Sequence, residues 1–246
     1  MALIVSESPC AAAAVYTQNK VKGAPIAVTK EHLADGRAQA VIVNSGNANT
    51  CNADGVQKAR MMCGLASRLT GIAESDVIVA STGVIGEPLP IEPILAAGDA
   101  LLAGLSESGG DAAAEAIMTT DTFSKQAAVA FSLNGKTCRI GGMAKGSGMI
   151  HPNMATMLGF LTTDARISPA LLQKALQAAV DTSFNAVDDR HAAANGASGE
   201  DTQFARARLV CTDLAKQLAD GEGASSCWSA VCRARICRRL GPWPRA

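Results

Sequence analysis

An Asn-Gly pair between two apolar runs constrains the fold of this chain more than any other feature. Asn134 and Gly135 separate the run at 127–133 from the run at 136–140. Such a pair favours a tight primed turn, so we expect an antiparallel hairpin. Elsewhere, segments of helical periodicity alternate with short buried-strand runs at 2–5, 40–43 and 77–80. Because a hairpin interrupts this alternation, the sequence predicts a mixed α+β protein with layered sheets, not a doubly wound parallel sheet.

Helices are expected where apolar residues recur at helical spacing. Gly71 is the expected end of the first of them, and Ser168 with Pro169 is the expected start of the third. The segments 44–49 and 81–83 read as turns that close the second and third strands. The predicted helices are 56–70, 91–105, 170–180 and 204–218.

Composition excludes several classes of protein. The chain has 246 residues, 48% of them hydrophobic and 18% charged, which is a globular composition. The formal net charge is zero, so we expect neither nucleic acid nor an anionic membrane surface as a partner. No apolar run approaches the roughly 20 residues that a membrane helix needs. The first residues form no secretory signal and read as a strand that starts at once, which suggests that upstream sequence is absent.

Cysteine usage and the missing loop motifs point away from metals and nucleotides. The 8 cysteines form no C-x-x-C pair, so we expect no metal site and, in a reducing cytoplasm, small buried thiols. Neither a Walker loop nor a dinucleotide fingerprint can be placed on the glycine-rich stretch 141–148.

The stretch 145–158, KGSGMIHPNMATML, is the strongest chemical signal. In it, Ala155 and Thr156 lie between a glycine-rich segment and an apolar run. Cleavage before Thr156 would give a threonine whose own α-amine can act as its base. The alternative is a glycine loop that leads into a buried strand. His151 is interpreted as structural, since the amine already fills the role of a base.

This stretch, continued by 159–165, resembles the processing site of the ornithine acetyltransferase family. These are the bifunctional glutamate N-acetyltransferases of arginine biosynthesis, often called ArgJ. Four further matches stand in family order and extend the likeness over roughly residues 1–225. They are VNSGNAN at 43–49, STGVIG at 81–86, IMTTDT at 117–122 and DGEGA at 220–224.

The resemblance implies a fold and a mechanism. The fold would be an αββα-like sandwich, incomplete on its C-terminal side. After autocleavage at Ala155–Thr156, the Thr156 hydroxyl would take acetyl from N-acetylornithine and pass it to glutamate. The Thr82 hydroxyl and the Gly83 N–H would stabilise the oxyanion. The implied substrate-binding residues are Thr119, Lys145, Thr156 and Glu222, with Lys145 on the α-carboxylate.

The resemblance also implies an organisation. Residues 1–155 would form an alpha-chain-like segment, 156–226 the start of a beta-chain-like segment, and 227–246 an atypical tail. Intact relatives would be heterotetramers of two alpha and two beta chains, located in the cytoplasm. No cofactor is expected, and acetyl-CoA is left open as a further substrate.

Simpler interpretations of these residues stay open. The segment around Thr82 and Gly83 could be an ordinary turn, Lys145 a solvated lysine, and Glu222 an exposed carboxylate at a helix end. Comparison with the family pattern predicts that a short block is deleted at 186–191, and the tail 227–246 is basic, with three cysteines and both tryptophans. Two alternatives to the transferase are therefore kept: an inactive truncated product, and a related N-terminal-nucleophile hydrolase such as a peptidase.

Overall fold

The computed structural model describes residues 1–146, 157–185, 209–216 and 218. Within these ranges the chain forms helices and two three-stranded sheets, which confirms the predicted mixed α+β class. It divides into two compact units. The first holds Met1–Cys10 and Lys20–Thr119, and the second holds Ala11–Asn19 and the described residues from Thr120 onward. None of the helices in the described ranges has the length and apolar character to span a membrane.

The sheet of the first unit has the strand order β1-β2-β3, and β2 and β3 are parallel. Its strands are β1 (Ala2–Ala11), β2 (Arg37–Asn47) and β3 (Val77–Val84). The helices of this unit are α1 (Ala24–His32), α2 (Gly55–Thr70), α3 (Glu92–Ala96), α4 (Gly98–Ala103) and α5 (Gly110–Ala116). Short 3-10 turns at Leu33–Asp35 and Glu74–Asp76 precede β2 and β3.

Helix α1 provides polar partners for strand β3. The Thr29 hydroxyl donates to the carbonyl of Val79 at 2.8 Å and accepts from the N–H of Val79 at 3.2 Å. A ring nitrogen of His32 lies 2.8 Å from the carbonyl oxygen of Val77. Buried backbone groups must find partners. Side chains of α1 therefore provide hydrogen-bond partners for the β3 backbone at Val77 and Val79.

The core of the first unit lies between its sheet and its helices. Leu3 and Ile42 from the sheet, Val28 from α1 and Met62 from α2 are fully buried in one apolar cluster. Helix α2 ends at Gly71, as predicted, with a left-handed φ of 75° and an N–H that donates to the carbonyl of Ser67.

Three predictions for this unit are wrong in detail. Residues 44–47 and 81–83 belong to β2 and β3 and are not turns, because the two strands stay paired to Asn47 and Val84. The helix predicted at 91–105 is divided into α3 and α4. Gly98 begins the second piece, and Leu65 Cδ1 lies 2.9 Å from where its Cβ would stand. Close packing on α2 therefore accompanies the break.

The second unit is built on the predicted hairpin. Strands β4 (Lys125–Leu133) and β5 (Lys136–Lys145) pair antiparallel, with Leu133 opposite Lys136. Asn134 and Gly135 have φ values of 50° and 75°, as a primed turn requires. Strand β6 (Leu158–Thr163) pairs antiparallel with β5 and completes the sheet in the order β4-β5-β6.

Two helical segments pack in the second unit. The Ser168 hydroxyl caps α6 (Pro169–Thr182) by accepting from the N–H of Leu171 at 3.3 Å, as predicted. Residues 209–216 and 218 are helical, inside the range predicted for the last helix. The core of this unit includes Ile140, Val180, Phe184, Leu214 and Leu218.

The cysteines of the described residues differ in state. Cys10, Cys51, Cys63 and Cys211 are free thiols; Cys63 and Cys211 are buried, as the sequence predicts, whereas Cys10 is partly buried and Cys51 is exposed, contrary to that prediction. Burial raises the pKa of Cys63 to about 12 and that of Cys211 to about 11, so both behave as small apolar side chains. Cys138 is disulfide-bonded, contrary to the expectation of reduced thiols throughout.

Candidate active site

The first cluster of site residues lies where β2 and β3 end side by side. Ser45 stands opposite Thr82 and Gly46 opposite Gly83 in the parallel register. Parallel strands bring their carboxyl ends to one edge of a sheet, so both polar segments meet there. Thr82 and Gly83 are each partly exposed at this edge.

Two observations show that position 83 requires glycine: its backbone conformation, and the absence of room for a Cβ atom. Its φ is +134°, a value that other residues rarely adopt. A Cβ on Gly83 would overlap the carbonyl group of Gly46 and come within 2.5 Å of the Asn47 nitrogen. The backbone of β3 is therefore pressed directly against β2 at the predicted oxyanion position.

Asparagine side chains and backbone bonds fix the loops that follow these strands. The Asn47 amide donates to the carbonyl of Glu87 at 3.0 Å, and the Asn44 amide donates to the carbonyl of Asn47 at 3.0 Å. The N–H of Ala48 donates to the carbonyl of Val84 at 2.8 Å. These contacts tie the two loops together and limit how far the Thr82–Gly83 backbone can move.

Thr119 follows helix α5, which the same edge holds in place. The Ser45 hydroxyl donates to the carbonyl of Ala116, the last residue of α5, at 2.6 Å. Thr119 lies three residues further on and is exposed. The first unit thus contains Thr82, Gly83 and Thr119, three of the predicted site residues.

The second cluster is a buried ionic group in the second unit. Asp121 Oδ1 accepts from Lys125 Nζ and from the N–H of Gly146, both at 2.8 Å. Asp121 Oδ2 lies 3.7 Å from Lys145 Nζ. The side chains of Asp121 and Lys125 are fully buried, and that of Lys145 is 6% exposed. Lys145 is therefore not the solvated lysine that was kept as an alternative.

The electrostatics of this cluster act most clearly on Lys145. Burial is the main cause of a lowered Lys145 pKa; the nearby Lys125 ammonium adds to that effect, and the Asp121 carboxylate opposes it. The Lys125 ammonium also lies 4.8 Å from the centre of the Phe123 ring, within the range of a cation–π contact.

The strand register defines both ends of the segment predicted to be cleaved. Lys145, the last residue of β5, stands opposite Leu158, the first residue of β6. Thr156 precedes Leu158 by two residues in the sequence. Several of the predicted features lie outside the described residues: His151, Ala155, Thr156 and Glu222. The same is true of the predicted deletion at 186–191 and of the tail 227–246.

Sequence reasoning did not single out Asp121 or Lys125. Asp121 stood inside the matched segment 117–122, but an acidic residue after two threonines usually marks a solvated turn. The available signal was the pairing pattern of the hairpin. Extending the predicted register from Asn134 and Gly135 outward brings the two strand ends, at Lys125 and Lys145, to the same end of the sheet.

Comparison with solved structures places this fold among proteins of arginine biosynthesis. A crystal structure of the arginine biosynthesis bifunctional protein ArgJ from Bacillus halodurans has 47% identity and a TM-score of 0.58, covering 62% of this chain and 81% of that one. A structure of ornithine acetyltransferase from Mycobacterium tuberculosis, complexed with ornithine, has 37% identity and a TM-score of 0.55. That match covers 62% of this chain and 82% of the mycobacterial chain.

The chain belongs to the ArgJ family, whose model matches residues 1–234. The curated relatives include the arginine biosynthesis bifunctional proteins ArgJ of Symbiobacterium thermophilum and Geobacter sulfurreducens. The first is 49% identical and the second 45%, each over 92% of this chain. The chain spans 61% and 63% of the length of these two relatives. The family resemblance seen in the sequence is thereby confirmed.

Proposed function

We propose that the chain is an acyltransferase of arginine biosynthesis that transfers acetyl from N-acetylornithine to glutamate. Thr156 is the nucleophile, released as a new N-terminal residue by cleavage of the Ala155–Thr156 bond. The proposal draws on the family membership of the chain and on the ornithine that the mycobacterial relative carries in its structure.

One observation carries the proposal: the pairing of Lys145 with Leu158 across β5 and β6. Two residues of chain reach at most about 7 Å, so the covalent chain keeps Thr156 close to Leu158. Directly opposite cross-strand residues have Cα atoms about 5 Å apart. The proposal is supported because the covalent chain limits the proposed nucleophile to within about 7 Å of Leu158, the residue opposite the proposed substrate lysine.

The same pairing accounts for how a cleaved chain would stay assembled. Cutting before Thr156 leaves β6 beginning two residues later, and β6 is paired with β5 over six residue pairs. Through those pairs the piece that contains β6 would stay positioned beside the strand that ends in Lys145. Positioning of this kind supplies a large share of catalytic rate.

The proposed cleavage is an N-to-O acyl shift. Thr156 Oγ attacks the Ala155 carbonyl carbon, and the bond to the Thr156 nitrogen breaks, which leaves an ester. The α-amine of Thr156 is freed in that step, and water then hydrolyses the ester, releasing the Ala155 carboxylate and the Thr156 hydroxyl. That amine is the base in the later steps.

The proposed transfer runs in two acyl steps. Thr156 Oγ attacks the acetyl carbonyl of N-acetylornithine, its proton passes to the α-amine, and ornithine leaves with that proton. The amine of glutamate then attacks the acetyl ester and regenerates the hydroxyl. The Thr82 hydroxyl and the Gly83 N–H donate to the oxyanion in each step, a contribution typically worth about 3–4 kcal/mol for one donor.

Thr119, Lys145 and Glu222 are the proposed substrate contacts. An ammonium suits the α-carboxylate that N-acetylornithine and glutamate share, and a carboxylate at Glu222 suits an amino group. The same proposal includes acetyl-CoA as an alternative acetyl donor, a heterotetramer of cleaved chains and a cytoplasmic location.

The test is an intact mass of the purified chain beside Thr156→Ala and Thr156→Ser variants. We expect two fragments split at Ala155–Thr156 in the unmutated chain and in the serine variant, which keeps a hydroxyl, and one uncut mass in the alanine variant. Incubation with N-acetylornithine alone should add one acetyl group to the fragment that begins at Thr156. Glutamate should remove it.

Each other outcome points to a specific alternative. Cleavage without acetylation, together with hydrolysis of peptides, would indicate an N-terminal-nucleophile hydrolase. A single uncut mass in all three proteins would contradict the proposal and favour an inactive product of the same ancestry.

A further inference from the structure

The buried carboxylate of Asp121 joins three parts of the second unit. Lys125 begins β4, Lys145 ends β5, and Gly146 is the last described residue before the segment that contains the proposed cleavage bond. The two Asp121 oxygens face all three, at 2.8 Å from Lys125 Nζ, 2.8 Å from the Gly146 nitrogen and 3.7 Å from Lys145 Nζ. A carboxylate that serves several donors at once determines their relative positions.

The three charged side chains are not equivalent. Lys125 donates a short hydrogen bond to Asp121, whereas the 3.7 Å from Lys145 to the same carboxylate exceeds hydrogen-bond length. Among the described residues two ammonium groups share this carboxylate, so these three side chains together carry a net charge of +1. Asp121 thus pairs fully with Lys125 and only partly offsets the charge of Lys145.

Through Gly146 the cluster also orients the backbone, in addition to its electrostatic effect on Lys145. Its φ is +153°, a conformation that favours glycine, and its N–H donates to Asp121 directly after the last paired residue of β5. The direction in which the chain leaves the sheet toward residue 147 is therefore fixed by a carboxylate from another segment.

We propose that Asp121 is a positioning residue of the acetyl-transfer site, which holds the Lys145 ammonium and the Gly146 backbone where the chain enters the cleavage segment, with Lys125 as its neutralising partner. This inference rests on the proposed function, in which Lys145 binds the substrate carboxylate. Asp121 itself does not touch the reacting atoms; it acts through Lys145 and Gly146.

The proposal can be tested without relying on catalysis. The Lys145 side-chain signal is followed by NMR in the full chain carrying labelled lysine, and its assignment is confirmed by its disappearance in Lys145→Met. In the part of the chain that the structure describes, the charged groups that act on Lys145 are Asp121 and Lys125. Asp121→Asn alone removes the carboxylate that Lys125 and Lys145 share and can prevent folding, so the comparison uses Lys125→Met and the double variant Lys125→Met with Asp121→Asn.

We expect the Lys145 titration to move to higher pH in Lys125→Met, because a like charge is removed. Adding Asp121→Asn should move it back to lower pH, by roughly 1–3 pH units, as for other charges within ionic contact. A purely structural role of Asp121 would not produce shifts of opposite sign. Equal titrations in the two variants would overturn the proposal.

A second readout connects the cluster to the reaction. The double variant should raise the KM for N-acetylornithine about tenfold or more relative to Lys125→Met, since misplacing a substrate-positioning group weakens productive binding. If the unmutated chain shows neither cleavage nor transfer while the titrations shift as expected, the proposed function fails and the positioning by Asp121 stands. If transfer proceeds with an unchanged KM in the double variant, Asp121 is not a positioning residue of that site.

Discussion

Gly83 and Gly46 are neighbours in the β2–β3 register, and their backbones approach so closely that Gly83 has no room for a side chain. A Cβ on Gly83 would overlap the Gly46 carbonyl group, and Gly46 itself has a φ of +120°. The proposed oxyanion donor at Gly83 thus sits on backbone that only this pair of residues allows.

Gly83→Ala should therefore damage the site more than it damages the fold. The clash with backbone cannot be relieved by a side-chain rotation, so the 82–84 segment must move away from β2. We expect destabilisation of about 1–3 kcal/mol from the strained backbone and overpacking. We expect about a 100-fold or greater loss of cleavage and transfer, the size of a lost oxyanion donor. Chemical unfolding and the time course of cleavage by mass measure both.

Gly86→Ala is the matched control. Its φ is +86°, so alanine is strained there too, but no atom lies within 4 Å of its Cβ position. It should cost stability of about 1 kcal/mol while leaving the rates nearly unchanged. Equal rate losses in the two variants would show that backbone strain, and not the contact with Gly46, governs the site.

Thr29 in α1 helps to hold strand β3, which carries Thr82 and Gly83, through its two hydrogen bonds to Val79. Thr29→Val keeps the shape of the side chain but removes both bonds to Val79, leaving a buried N–H and a buried carbonyl unpaired. We expect a loss of about 2–4 kcal/mol in urea unfolding, since each unsatisfied buried group costs about 1–3 kcal/mol. Thr29→Ser, which keeps the hydroxyl and loses one methyl, should lose only about 1 kcal/mol. Equal losses would mean that packing of the methyl group, and not hydrogen bonding, is what β3 requires.

We expect Lys145, which the proposed site needs as a buried ammonium, to lower the free energy of unfolding at neutral pH. Burial lowers its pKa in the folded protein below that of the unfolded chain. In the pH window between those two pKa values the unfolded chain binds a proton that the folded chain does not, so stability rises with pH there. Lys145→Met should thus be more stable than the unmutated chain at neutral pH, by about 1 kcal/mol, because Asp121 keeps Lys125 as its partner.

The pH dependence separates this effect from ordinary packing. The increase in unfolding free energy caused by Lys145→Met should be constant at neutral pH. It should shrink as the pH rises through the window between the folded and unfolded pKa values of Lys145, since the unmutated chain recovers stability there. The difference in unfolding free energy between the two proteins isolates Lys145 from other titrating groups. A gain that is independent of pH into the alkaline range would point to better apolar packing instead.

The sequence predicts local features here better than long-range ones. The hairpin at Asn134 and Gly135 and the cap at Ser168 depend on a few adjacent residues, and both are confirmed. The turns predicted at 44–49 and 81–83 are wrong in part, because small polar residues there are paired across strands, a contact that no local pattern contains. The site residues followed from family resemblance, whereas Asp121 and Lys125 required a register that joins two distant segments.

Gly142 and Gly141 offer a direct test of the β5–β6 pairing on which the proposed cleavage depends. A Cβ on Gly142 would overlap the side chain of Leu161 and lie 3.1 Å from the carbonyl oxygen of Phe160, whereas at Gly141 the nearest atom is Thr162 Oγ1 at 4.0 Å. Gly142→Ala should push β6 away from β5, costing about 1–3 kcal/mol by overpacking.

Because Thr156 precedes β6 by two residues, the same displacement should slow cleavage at Ala155–Thr156 by about tenfold or more, since small misplacements of reacting groups have large effects on rate. Gly141→Ala would make only an ordinary van der Waals contact with Thr162 and should cleave at the unmutated rate. The measurement is the fraction of cut chain against time, by intact mass, in both variants under folding conditions confirmed by circular dichroism. If Gly142→Ala cleaves as fast as Gly141→Ala, the register between Lys145 and Leu158 does not present the nucleophile, and the position of Thr156 must be set from elsewhere in the chain.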